Sequence, residues 1–125
     1  MSKNLYTKLS DGKIQTALSK INSFGQPHWS LKTINSSTTP SQNLIVQYKL
    51  KNFKRTWNFL NLIAKQADIL KHHPTITTTY NKIDIELTTH DVGNKITDKD
   101  ITLAEAIHKE YYNLISENQP KQSSN

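Results

Sequence analysis

The chain contains no cysteine, which removes disulfides and thiolate-bound zinc from consideration. Its single arginine, Arg55, is too little for the arginine-rich character of a mitochondrial presequence. No apolar run approaches the roughly 20 residues that a membrane-spanning helix needs. The opening MSKNLYTKLSDG has no apolar stretch of the secretory kind. These absences predict a soluble, cytoplasmic protein, with the nucleus as a second compartment and no membrane contact. Acidic residues are scarce in one half: residues 1–60 hold nine Lys/Arg against Asp11 alone, whereas residues 61–125 hold seven lysines against nine acids. The resulting net charge of +6 would favour an anionic ligand if the lysines were clustered. They are spread among Asn, Thr and Ser, so a solvated surface is expected and no direct nucleic-acid binding.

What is present reads as one domain, 1–125, with its core at about 10–115 and a polar tail at 116–125; this length buries a core without metals or disulfides. Ser10 is placed to cap a helix over 11–23, in which Ile14, Leu18 and Ile21 recur at helical spacing and Gly25 closes the C-terminus before Pro27. Residues 28–34 predict a strand with Trp29, Leu31 and Thr33 on one face, and residues 44–50 a second with Val46, Tyr48 and Leu50 together. The polar stretch Asn35 to Asn43 is expected to be a long hairpin loop. From Asn52, a cap, a helix runs to the Pro74 stop, with Phe53, Trp57, Leu60, Ala64 and Ala67 as its seam. Phe59, Leu62, Ile63 and Ile69 widen its apolar surface, so it should pack on the sheet and on something else, and Phe53 and Trp57 are expected in the core or an interface.

After Pro74, Ile83, Ile85 and Leu87 alternate with Asp84 and Glu86 in a half-buried strand. Thr75–Tyr80 is either its own strand or the start of one continuous strand, and Tyr80 is expected to pack with its hydroxyl satisfied. Thr97 to Asp100 resembles a capping box with Asp100 as a helix cap, opening a last helix with Ile101, Ala104, Ile107 or His108, Tyr111 and Leu114/Ile115 inside. The order predicts an α+β fold: an antiparallel sheet of about four strands with three helices on one face.

Three of the five histidines fall between Asp68 and Asp91: His72 and His73 at a helix end, and His90 at a strand end. Imidazole both donates and accepts a proton near neutral pH, so the cluster is the first candidate for acid–base chemistry. Asp68, one helical turn before His72, is placed to orient and charge-stabilise it. A metal site on Asp68, His72 and His90 is the rival reading, weakened by the absence of an HExxH-type motif.

Asp68, His72-His73-Pro74, Tyr80, Thr89-His90-Asp91, Gly93, Ile96-Thr97-Asp98-Lys99-Asp100 and Leu103-Ala104 together resemble the pterin-4a-carbinolamine dehydratases. Trp29 and Leu50-Lys51-Asn52-Phe53 extend the likeness over about residues 10–115. Four features depart from the family's pattern: Lys71 where Asp or Asn is usual, an extra residue at Asn94-Lys95, the long Asn35–Asn43 loop, and Ile76 at a commonly aromatic position. The resemblance implies dehydration of a 4a-hydroxytetrahydropterin to the quinonoid dihydropterin, without cofactor or metal. It implies a catalytic set of His72, His73 and His90, with His72 and His90 as the acid/base pair and His73 holding the pterin. Asp68, Thr89 and Asp91 are the implied substrate-binding residues. It also implies a homo-oligomer, dimer or tetramer, through helix 53–70. One member of the family doubles as a dimerisation cofactor for a homeodomain transcription factor, so a non-enzymatic binding module is the alternative.

Overall fold

The computed structural model describes residues 7–34 and 40–116. The expected 116–125 tail beyond Ser116 and residues 35–39 of the long loop lie outside the described residues. Helix α1 (Asp11–Asn22) begins where the Ser10 hydroxyl accepts from the Lys13 N–H and buries Ile14, Leu18 and Ile21. It ends at Ser23, not at a glycine cap; Gly25 follows at φ +136°. A side chain there would be strained by the backbone angle and would have to displace the Tyr112 hydroxyl, so the backbone favours glycine.

Strands β1 (Ser30–Ile34), β2 (Ser41–Lys49), β3 (Thr75–Thr79) and β4 (Lys82–Leu87) form one sheet in the order β1-β2-β4-β3, antiparallel throughout. β2 starts inside the expected loop: Ser41, Gln42 and Asn43 pair with Ile34, Thr33 and Lys32. All three are partly buried, and the side-chain amides of Gln42 and Asn43 donate to Asp11 and Glu86. Tyr80 and Asn81 form the turn between β3 and β4, which settles the Thr75–Tyr80 stretch as a separate strand. Tyr80 is 63% exposed at φ +51°, so it is a turn residue and not a packing one.

Register puts Leu44 opposite Leu87, Val46 opposite Ile85 and Tyr48 opposite Ile83, all buried on the helix side. On the other face Gln47 donates to Asp84 at 2.9 Å. Helix α3 (Asp98–Ser116) packs against both α1 and α2 (Phe53–Leu70). Asn52 caps α2 as its sequence predicts, accepting from the Arg55 N–H. Its buried stripe, however, is Thr56, Phe59, Leu60, Ile63 and Ala67. Phe53 and Trp57 are 55% and 46% exposed and Ala64 faces solvent, so the expected seam is rotated. The apolar surface of α2 is broad enough to offer two stripes, and contact with the sheet and α3 selects the one carrying the large Phe59 and Ile63. No helix among the described residues is long and apolar enough to cross a membrane.

A polar chain crosses the core. Trp29 Nε1–H donates to the Tyr48 hydroxyl at 3.1 Å, and Tyr48 lies 2.7 Å from His108 Nδ1. His108 Nε2 lies 3.1 Å from the Gly25 carbonyl, which only accepts. Nε2 therefore carries the proton, Nδ1 accepts from Tyr48, and every group is satisfied with a neutral ring. Burial pushes the His108 pKa below its ordinary value of 6.5, the Gly25 bond opposes that in part, and the charge of His28 adds to it. Burial likewise pushes the Tyr48 phenol far up, so it stays a donor. Because the folded state disfavours protonated His108, its stabilising contribution is complete above the ordinary value and is lost as pH falls through the lowered folded value. Urea unfolding should show a midpoint that drops on acidification in wild type and drops less in His108→Gln. Equal acid sensitivity in the two proteins would show that His108 is not the group responsible.

Candidate active site

Helix α2 stops because Lys71 takes the left-handed conformation, φ +54°. Its N–H bonds back to Asp68 O, and the His72 N–H reaches Ala67 O at 3.1 Å. This is a Schellman closure normally made with glycine or asparagine; a lysine there costs about 1 kcal/mol. The closure also removes His72 from the helix, so the spacing that would stack Asp68 on it does not operate. Asp68 is exposed and pairs with Lys71 Nζ at 3.7 Å, a surface contact of small value.

The carboxylate that holds His72 is Asp100 instead. His72 Nε2 lies 2.6 Å from Asp100 Oδ1, with both side chains buried. A carboxylate accepts, so Nε2 carries the proton and Nδ1 is left as the ring's exchangeable face. Asp100 Oδ2 accepts from the Thr97 N–H at 2.9 Å and from the Thr89 hydroxyl at 2.7 Å. Since Thr89 spends its proton on Asp100, the Thr97 hydroxyl donates to Thr89 Oγ1 across 2.7 Å. Thr97 Oγ1 in turn accepts from the Lys99 N–H. The capping box is thus real, and Asp100 is both a helix cap and the anchor of a histidine. Sequence reasoning saw only the first role, because nothing local to Asp100 announces a partner 28 positions upstream.

The β3–β4 hairpin brings the segments that carry the histidines to one end of the sheet. Thr75 opens it opposite Glu86 near its end. His72 and His73 precede one leg and Thr89-His90 follow the other, at the open end. Thr89 is buried, its hydroxyl committed to Asp100 and Thr97, and its backbone bridges Lys95. His90 begins a 3-10 turn, His90–Val92, and is exposed, with Nδ1 2.6 Å from Asn94 Oδ1. His73 and Asp91 are exposed as well. Asp100 therefore couples His72 directly, and His90 through its neighbour Thr89. Asp68 is not drawn into that network, and the helix face that a metal site on Asp68 and His72 would have used does not exist. Among the described residues no group of three or more His, Asp or Glu is arranged to hold a metal ion.

The result is an α+β protein with a four-stranded antiparallel sheet, three helices and a carboxylate-anchored histidine at a helix end. A sequence model described as "Pterin 4 alpha carbinolamine dehydratase" matches residues 7–110. A Picosynechococcus protein provisionally named pterin-4-alpha-carbinolamine dehydratase is 38% identical over 98 residues, covering 78% of this chain and 91% of that protein. A Sulfurisphaera tokodaii protein of the same provisional name is 38% identical over 101 residues, covering 80% and 92%. The crystal structure of a transcriptional coactivator/pterin dehydratase from Brucella melitensis superposes with a TM-score of 0.66 at 23% identity, covering 83% of this chain and 98% of that one. A pterin dehydratase-like RuBisCO assembly factor of the alpha-carboxysome superposes with a TM-score of 0.51 at 16% identity, covering 65% and 88%. The chain belongs to the pterin-4a-carbinolamine dehydratase family.

Replacing Asp100 by Ala would leave three buried donors without their acceptor, a loss of about 3 kcal/mol or more. Asp100→Asn keeps one acceptor oxygen and should lose less. Urea unfolding of both variants measures this; an alanine variant within about 1 kcal/mol of wild type would remove Asp100 from the centre of the network.

Proposed function

We propose that the chain dehydrates 4a-hydroxytetrahydrobiopterin to quinonoid dihydropterin and water by histidine acid/base catalysis, so recycling tetrahydrobiopterin. The reading rests on the site as a whole. The observation that carries it is the buried Asp100–His72 pair beside the hairpin end that bears His90. The reaction needs a proton delivered to the departing hydroxyl and another removed from a ring nitrogen, whose electron pair then forms the new C=N bond. His72 exchanges its proton at Nδ1, and an ionised Asp100 behind Nε2 stabilises the positive ring that forms. His90 is the complementary acid or base. His73, which is exposed, holds the pterin, and Asp68 and Asp91 serve as binding residues. Thr89 acts through Asp100 and its backbone. Each acid or base typically supplies about 10²–10⁴-fold. His72→Ala and His90→Ala should therefore each lower turnover of enzymatically generated 4a-hydroxytetrahydropterin at least about tenfold with the fold retained. Wild-type rates from either variant would refute that residue's role.

We further propose that a second copy covers the outward stripe of α2, forming a homodimer or a tetramer. Phe53, Trp57 and Ile69 (59% exposed) lie on this helix, with the Phe53 and Trp57 rings 6.3 Å apart. The same stripe favours the alternative reading, a non-enzymatic binding module. The coactivator and assembly-factor descriptions of the two structural neighbours set a precedent for it. Light scattering at micromolar concentration should report a multimer of wild type that Trp57→Glu dissociates. A monomeric wild type would refute self-association, and a chain without pterin turnover would favour the binding module.

A further inference from the structure

We infer that Asn94, in the turn that follows the 3-10 turn, is a positioning residue that holds His90 in the Nδ1–H tautomer, leaving Nε2 as its proton acceptor. The His90 Nδ1 to Asn94 Oδ1 separation is 2.6 Å. An amide oxygen has no proton to give, so the ring nitrogen is the donor. A neutral imidazole has one N–H, and spending it on Asn94 puts the lone pair on Nε2.

The side chain of Asn94 is aimed by a backbone held on both sides. Its N–H donates to Thr89 O at 3.1 Å, and its carbonyl accepts from the Gln42 N–H at 2.9 Å, tying the turn to the first residues of β2. The Gly93 N–H closes the 3-10 turn on His90 O at 3.0 Å, and the Thr89 N–H reaches Lys95 O at 2.9 Å. Lys95 Nζ donates to Pro40 O, fastening the far side of the turn. Asn94 itself sits at φ +60°, a conformation that asparagine tolerates better than most residues. Asn94 therefore supplies the same service to His90 that Asp100 supplies to His72, with a neutral acceptor in place of a carboxylate.

This inference rests on the dehydratase reading for its catalytic consequence, but its first test does not. In two-dimensional ¹H–¹⁵N spectra of ¹⁵N-histidine-labelled full-length protein, neutral His90 should show the Nδ1–H pattern. Asn94→Gly keeps the left-handed backbone while deleting the acceptor, and should shift His90 toward the Nε2–H form without lowering the unfolding midpoint. Asn94→Asp, whose carboxylate also accepts, should retain the wild-type pattern. In turnover assays Asn94→Gly should lower kcat about tenfold with KM nearly unchanged, and Asn94→Asp should restore most of it. A wild-type Nε2–H pattern, or a tautomer indifferent to Asn94→Gly, would overturn the inference. A tautomer that responds while kcat does not would overturn the catalytic consequence. Wild type without pterin turnover but with a responsive tautomer would overturn the dehydratase reading and support the assignment of Asn94.

Discussion

A carboxylate buried away from water must be surrounded by donors, and Asp100 meets that requirement by drawing three segments together. The start of α3 contributes the Thr97 N–H, the end of the hairpin contributes the Thr89 hydroxyl, and the end of α2 contributes His72. No one of these contacts is unusual. Their convergence on one side chain is what makes helix end, strand end and helix start a single object, since each partner that left would strand a charge in a dry setting. The ring of His72 is consequently held by the same bonds that hold the fold.

Helix α3 carries two such buried polar networks, one in its first turn and one at His108. They differ in kind. Asp100 gathers donors around a carboxylate and engages a residue at the site. His108 gathers one donor and one acceptor around a neutral ring and ties β2 and the α1–β1 connection to the helix bundle. An amphipathic helix can tolerate both because both oxygens of Asp100 and both nitrogens of His108 have partners.

Much of this was legible in the sequence where the determinants are local. The caps at Ser10 and Asn52, the alternation of Ile83, Ile85 and Leu87, and the capping box at Thr97 each depend on neighbours a few positions away, and each is found as expected. What local sequence does not settle depends on distant contacts. The phase of α2 was one such case, since two apolar stripes compete and only the sheet and α3 decide between them. The start of β2 was another, because Ser41 to Asn43 look like loop until an uncovered edge strand pairs with them. Asp68 was paired with His72 by helical spacing, but a left-handed Lys71 ends that spacing one residue too early. Asp100 and Asn94 passed as a cap and an insertion, because a side chain's partner across the fold leaves no periodic trace.

The hairpin also bears on how the site comes into being. Every residue of the histidine–carboxylate network lies within residues 72–100, and the β3–β4 turn spans only Tyr80 and Asn81. Short loops close at small entropic cost, whereas seating β4 against β2 must first bridge the whole of α2. The chemistry is therefore assembled from the most local part of the topology. Fraying of the outer strand β1, which pairs with β2 alone, releases none of the bonds that hold His72 or His90.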